Sequence, residues 1–411
     1  KKMASFPQEK RSEFINTLLE RLHAINRTKK CSGASKMSTS TKEYLNIPDV
    51  HGWLGRNESW DLPLKVTHCS AEARPGYSEI EAHEYNDQPH VLREKVKVLV
   101  GLIKSSENCL LYTGAGISTP SGIGDYATQV EKEGRPKLRS PLEAQPTYSH
   151  FALKELYDNG LVKYWVQQNH DGLPQKAGFP QTALNEIHGA WFDPSNPVVM
   201  MSGSLRSDLF EDLLQWEERS DLTLALGTSM CGMNSDRVFT TVARKAKTRG
   251  GVGGGVIVGL QRTQHDDLAS LKIYATVDDV MRLVAEELGV AVSQEVPPRP
   301  VREEEGEHTH HHHTFRVPYS SSTGERCEQS SDSCLLDLRE GAKVVLTDGP
   351  YKGDEGEVIG TNLEGHYRIV FNHKLNPKKT LRRPFERVLG SWWIKEAISG
   401  SVRQIPIVNL Y

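Results

Sequence analysis

Apolar positions change rhythm several times along this chain. In residues 1–90 they recur with helical spacing only once, at Phe14/Ile15, Leu18/Leu19, Leu22 and Ile25, which predicts one amphipathic helix. The stretch "KKCSGASKMSTSTK" then reads as linker, and "HGWLGRNESWDLP" as irregular chain pinned by Trp53 and Trp60. From Val91 short apolar runs alternate with amphipathic ones. "VLREKVKVLVGLIKSS" has helical spacing and "NCLLYTG" is a buried strand; "LVKYWVQQN", "LTLALG", "GVIVGL" and "LKIYAT" continue the strands. "SDLFEDLLQWEE", "DRVFTTVARKAK" and "VDDVMRLVAEEL" supply further helices. Strands apolar on both faces, joined by helices, predict an α/β fold with a doubly wound parallel sheet. Residues 291–335 are polar and read as linker. From Leu336 the alternation in "AKVVL", "GEVIG" and "YRIVF" predicts a small β module. The expected organisation is therefore an extension over 1–90, the α/β domain over 91–290, a linker over 291–335 and the β module over 336–411.

In doubly wound sheets ligands bind beyond the carboxyl ends of the strands. "TGAG", "QNHDG" and "LGTS" all follow strands, so they are expected to converge on one crevice. Gly114-Ala115-Gly116 suits a nucleotide-binding turn, because glycine lets the backbone approach a phosphate. The dinucleotide fingerprint itself fails: Thr119 occupies the third glycine position, and no acidic residue ends a strand about twenty residues later. Hydride transfer is a poor fit.

Charge and cysteine usage narrow the classes further. Among 411 residues, 50 Lys+Arg against 53 Asp+Glu give no global basic field for nucleic acid or an anionic membrane. No apolar run approaches the roughly 20 residues that span a bilayer, so no membrane partner is expected. The six cysteines form no C-x-x-C pair, which argues for a reducing, intracellular setting and against a thiolate metal site. The five histidines between His308 and His313 read as a solvated tract, with no carboxylate or cysteine pattern to fix a geometry.

Taken in order, "GAGIS", "SGIGDY", "PTYSHFAL", "QNHDGLPQKAG", "NEIHG", "LALGTS" and "VIVGLQRTQHD" strongly resemble the sirtuin (Sir2) family of NAD-dependent protein deacylases. "YTGAGISTPSGI" and "VIVGLQRTQHDDLASLKIYATVDDVM" are most similar to the branch of nuclear sirtuins six and seven, and the resemblance covers about residues 91–290. It implies NAD as cofactor and an acyl-lysine protein as substrate. Gly114, Ala115, Gly116 and Thr119 would line the phosphate end of NAD; Asp125 and Tyr126, the latter in place of the family's Phe, would stand beside the nicotinamide ribose. Gln168, Asn169 and Asp171 match the ribose and nicotinamide pocket, Gly227 and Ser229 the adenosine-side turn, and Gln261 and Val277 the adenine edge. His188 matches the general base, an imidazole suited to take a proton from a ribose hydroxyl near neutral pH once the acyl oxygen has displaced nicotinamide. The resemblance thus puts catalysis on His188, Asn169 and Asp171.

Three departures accompany the match. "HGAWFDPSNPVVMMSGSLRSDLFEDLLQWEE" lacks the family's zinc cysteines, so no zinc is expected and the small lobe must be rebuilt, reduced or absent. Ala127 stands where the family has Arg, and Gly259 where the branch has Asn against the adenosine ribose. Beyond the sheet, "REGAKVVLTDGPYKGDEGEVIG" resembles a KOW motif, part of an SH3-like barrel, with Val344 and Val358 facing its core. The basic stretch Lys374, Lys378, Lys379, Arg382, Arg383 and Arg387, interleaved with Phe385, suits an RNA or a protein partner. Three functions stay open on these residues: an NAD-dependent deacylase, an NAD glycohydrolase or ADP-ribosyltransferase, and a sirtuin-like scaffold subunit of a larger assembly.

Overall fold

The computed structural model describes residues 49–69, 72, 80–124, 140–200, 203–249, 253–297, 313–327, 333–374 and 382–410. The helix expected over Phe14–Ile25, the residues Asp125, Tyr126 and Ala127, and His308–His312 lie outside the described residues. The chain divides into two compact units. Described residues of Lys1–Lys137, Pro146–Gln168 and Ser207–Gln294 form the first; those of Leu138–Gln145, Asn169–Arg206 and Glu295–Tyr411 form the second.

Strands are numbered along the chain. The first unit holds β1 (Leu64–Thr67), β2 (Glu84–Asn86), β3 (Cys109–Thr113), β4 (Tyr164–Gln167), β6 (Leu222–Leu226), β7 (Gly254–Val258) and β8 (Leu271–Ile273). The second holds β5 (Leu184–Glu186), β9 (Thr314–Val317), β10 (Cys334–Asp337), β11 (Lys343–Leu346), β12 (Glu355–Thr361), β13 (Tyr367–Lys374), β14 (Arg382–Leu389) and β15 (Ile407–Asn409).

In the first unit the strand order β4-β3-β6-β7-β8 is parallel throughout, with Leu111 opposite both Trp165 and Leu224. Every residue of β3, β4, β6, β7 and β8 is buried, which explains their largely apolar character; the polar exceptions are Thr113, Gln167, Thr223 and Lys272. The chain leaves β3 for β4 on one side and later returns to β6 on the other. That reversal makes the carboxyl ends of β3 and β6 the topological switch point, where open α/β sheets bind ligands.

Helices pack by the same logic. The Val277–Leu288 helix buries Val277, Val280, Met281, Val284 and Leu288 at helical spacing. Thr276 caps it by accepting from the Asp279 amide, and it stops at Gly289, whose φ is 66°. The Pro89–Ser105 helix buries Val91, Val96, Leu99 and Ile103, and with them Lys95, which reaches both oxygens of Asp87 at 2.7 Å. Burial pulls Lys95 down to about 8 against the pull of Asp87. Chain ahead of residue 91 also joins this unit. The amides of Trp53 and Leu54 donate to Ala269 and Ser270, and the antiparallel pair β1–β2 packs Tyr85 against Tyr274.

The second unit pairs the C-terminal strands in the antiparallel order β14-β13-β12-β11-β15, with β9 and β10 as a separate antiparallel pair. Val344 and Val358 are fully buried with Ile369 and Phe371. Strand β9 falls inside the stretch read as linker; Phe315 and Val317 alternate inward there, a pattern too short to stand out beside the polar tract around it. Residues 169–206 share this unit with the C-terminal strands. Gly349, with φ 77°, approaches so close that a Cβ would lie 1.8 Å from the Ser195 carbonyl oxygen. Arg206 bridges that carbonyl (3.2 Å) and Asp348 (2.7 Å). Residues 169–206 are thus packed with the C-terminal strands rather than with the parallel sheet's own unit.

Among the described residues no helix is long and apolar enough to cross a membrane, and no cluster of His, Cys, Asp and Glu is arranged to hold a metal ion.

Candidate functional site

In the first unit the two glycine turns at the switch point interlock. The Gly114 amide donates to Leu226, and the Gly116 amide donates to the Gly227 carbonyl at 2.7 Å. A Cβ on Gly116 would lie 2.8 Å from the Gly227 Cα; one on Gly114 would lie 2.9 Å from the Thr228 Cα. Gly227 has φ 59°, and its Cβ would meet the Ile117 nitrogen at 2.5 Å. Only glycine satisfies both the approach and the left-handed backbone here. Thr119 sits one short turn on, its hydroxyl 3.4 Å from the Gly116 carbonyl. Gln168 Nε2 donates to Thr228 Oγ1 at 2.9 Å, which also accepts the Met230 amide, so Gln168 is tied to the turn that carries Ser229.

Of the two expected adenine-edge positions one is half-buried and the other buried. Gln261 donates to the Ala82 carbonyl at 3.3 Å, and Val277 is buried at the start of its helix. Gly259 donates its amide to Ile273, yet a Cβ there would meet nothing within 4 Å.

The second unit brings Asn169, Asp171 and His188 onto adjoining turns. His170 makes the join. Its Nδ1 donates to the Gly189 carbonyl at 2.8 Å, and its own carbonyl accepts the Trp191 amide at 2.9 Å. A carbonyl can only accept, so the proton lies on Nδ1. Burial lowers the His170 pKa against that hydrogen bond and Asp171, which keeps the ring neutral. Asp171 is buried and accepts the Leu173 amide at 3.1 Å, opening the short Leu173–Lys176 helix. Gly172, with φ 64°, must lack a Cβ, which would lie 2.7 Å from Phe192 and 2.9 Å from Trp392.

His188 is half-buried on a turn held from both sides. Gly189 (φ 93°) donates to Glu186, Val199 donates to the His188 carbonyl, and Ala190 donates to Asn196. Two residues earlier Glu186 is buried; burial raises its carboxyl to about 8, against hydrogen bonds from Gln175 and Gln181. A neutral carboxylic acid therefore lies two residues from His188 at physiological pH.

Sequence reading passed over Glu186, His170, Lys176 and Thr228 as contributors. Three of them lie inside quoted motifs, "QNHDGLPQKAG" and "NEIHG", where a charged or aromatic residue amid small ones is the available signal; Thr228 lies in "LGTS".

No protein-family model matches the chain. Among curated relatives, the NAD-dependent protein deacetylase Sirt6 of Drosophila melanogaster is 30% identical over 263 residues, covering 52% of this chain and 81% of the relative. The chain belongs to the sirtuin family. The NAD-dependent protein deacetylase sirtuin-7 of Rattus norvegicus is 31% identical over 258 residues, 51% of this sirtuin and 63% of the relative. This chain thus spans less than two thirds of the length of the sirtuin-7 relatives it matches. A solved Sir2–p53 peptide–NAD+ complex aligns with 48% of this sirtuin and 99% of its own chain, at 24% identity and a TM-score of 0.42.

Proposed function

We propose that this sirtuin is an NAD-dependent protein-lysine deacylase acting on acyl-lysine proteins. The observation that carries the reading is the His170 lock, which sets the Asn169–Asp171 loop beside the turn bearing His188. The residues present also fit the nucleotide. The interlocked glycines leave the backbone bare, and among the described residues no hydrogen bond engages the amides of Ala115 or Ser229, two donors suited to a diphosphate.

In this reading Gly114, Ala115, Gly116, Thr119, Gly227 and Ser229 hold the diphosphate and adenosine side, with Gln168 bracing the second turn through Thr228. NAD, when bound, supplies the glycosidic bond whose cleavage releases nicotinamide and accepts the acyl group. His188 takes a proton from a ribose hydroxyl. Asp171 holds the loop on which Asn169 meets the nicotinamide end. A protein or RNA partner, or a larger assembly, is assigned to the exposed strand β14, where Arg382, Arg383 and Phe385 face solvent. The reaction is assigned to the cell interior.

The test is nicotinamide release from NAD by the full chain, with and without an acetyl-lysine peptide, alongside His188→Ala. Release that needs both peptide and His188 is the expected result. Release without peptide would assign NAD hydrolysis or ADP-ribosyl transfer instead, and no release would leave a scaffold.

A further inference from the structure

We propose that Glu364, on the turn between β12 and β13, is a positioning residue for the reaction, acting through Lys176 on the loop that carries Asn169 and Asp171. The inference rests on the deacylase reading for its kinetic consequence.

Lys176 closes the short helix that Asp171 opens. Its ammonium is buried, an unfavourable place unless its donors are taken up. It finds three acceptors: the Leu142 carbonyl at 2.7 Å, the Ala144 carbonyl at 2.9 Å and Glu364 Oε2 at 2.7 Å. Two are neutral, so Glu364 is the only one of these three that neutralises the charge. Glu364 is itself anchored, taking a hydrogen bond from Gln145 Nε2 and lying 3.4 Å from His366 Nε2.

Aromatic packing fixes the same loop from the same module. Phe192, Trp392 and His366 meet in edge and tilted contacts, with Phe192 to Trp392 at 5.3 Å and Phe192 to His366 at 4.8 Å. Lys176 Nζ lies 5.1 Å above the Phe192 ring. The ring edges of Phe192 and Trp392 occupy the space a Cβ on Gly172 would need, one residue from Asp171. The Gly390 amide donates to Phe192, and the Gln181 amide donates to Glu396 at 3.2 Å. The loop is therefore pinned at Gly172, Lys176 and Gln181 by residues more than 180 positions further along the chain. A misplacement of about 1 Å in a reacting group can cost on the order of a hundredfold in rate.

The experiment uses the full chain with Glu364→Ala, Glu364→Gln and Glu364→Asp. It measures nicotinamide release, the NAD dissociation constant and hydrogen–deuterium exchange. For Glu364→Ala the expected result is release slowed at least about tenfold, a larger change than that in NAD affinity, because the diphosphate and adenosine contacts are assigned to the glycine turns and not to this loop. Exchange should accelerate at the amides of Lys176 and Ala177, whose partners are the carbonyls of Gly172 and Leu173, and remain slow in β11 and β6. Glu364→Asp, keeping the charge, should recover much of the rate, and Glu364→Gln less. Unchanged exchange at Lys176 and Ala177, or acceleration spread through β11, would overturn the proposal, as would an unaltered rate. If Glu364→Ala does not fold, Glu364→Gln carries the same comparison. If the native chain releases no nicotinamide, the deacylase reading fails, and the exchange comparison alone decides whether Glu364 holds the loop.

Discussion

The amide of Gly116 donates to the carbonyl of Gly227 at 2.7 Å, joining two turns 111 residues apart at the point where the sheet reverses its winding. Each turn is glycine because the other is there.

Replacing Gly227 by alanine therefore strikes twice. Its φ of 59° disfavours an L side chain, and the new Cβ would stand 2.5 Å from the Ile117 nitrogen. Strain of this kind costs about 1–3 kcal/mol. The expected outcome is a lower melting temperature and NAD binding weakened at least about tenfold, close to 1.4 kcal/mol. Calorimetric titration with NAD beside a thermal melt checks both; unchanged NAD binding would remove this turn from the site.

Gly259 is the opposite case. Its backbone is not left-handed, and a Cβ would touch nothing within 4 Å. Gly259→Asn should fold normally and restore the ribose hydrogen bond expected at this position. A hydrogen bond of this type is worth about 0.5–1.5 kcal/mol net, so NAD should bind several-fold more tightly by calorimetry. An unchanged dissociation constant would show that the nucleotide does not pass this residue.

Glu186 gives the chain a pH dependence with a definite sign. Its carboxyl is raised from 4.5 to about 8 by burial. Between those values the unfolded chain has lost the proton and the folded chain keeps it, so stability falls as pH rises from about 4.5 through 8. Glu186→Gln removes this penalty and keeps the shape. The variant should gain stability relative to the native chain on going from pH 4.5 to 8, and denaturation curves at the two pH values measure it. Parallel curves would refute the burial of a neutral acid.

Lys95 and Asp87 form a wholly buried pair at 2.7 Å, with Asp87 also accepting the Tyr274 amide. Lys95→Met strands a buried carboxylate, at a cost of about 3–5 kcal/mol. Adding Asp87→Asn should return part of it. Urea denaturation of the single and double variants gives the coupling; additive losses would show that the pair does not act as one.

Much of the sheet was legible because its signal is local. "CLLYT", "LTLAL" and "GGVIV" are apolar apart from the buried Thr113 and Thr223, since both faces are covered, and the helices between them keep their burial period. The turns after β3 and β6 were legible for the same reason, glycine after a buried strand. Less legible was the company that residues 169–206 keep. Their apolar pattern is short and irregular, and nothing near Lys176 or Gly172 in the chain announces Glu364 or Trp392. His170 carries no local signal of its own between Asn169 and Asp171, because its role depends on the Gly189 carbonyl.

Sequence by itself determined the five parallel strands of the first unit and most of the helices between them, the glycines of its turns, the motifs that resemble the sirtuin family and the absence of cysteine between His188 and Arg219. These follow from periodicity, backbone preference and residue type, all properties of neighbours along the chain. Tertiary structure alone decided that Gly227 excludes a side chain on Gly116, that His170 ties the Asp171 loop to the His188 turn, and that a carboxylate 188 positions away neutralises Lys176. Steric exclusion and charge pairing depend on distances of a few ångströms in space, and no local pattern encodes them.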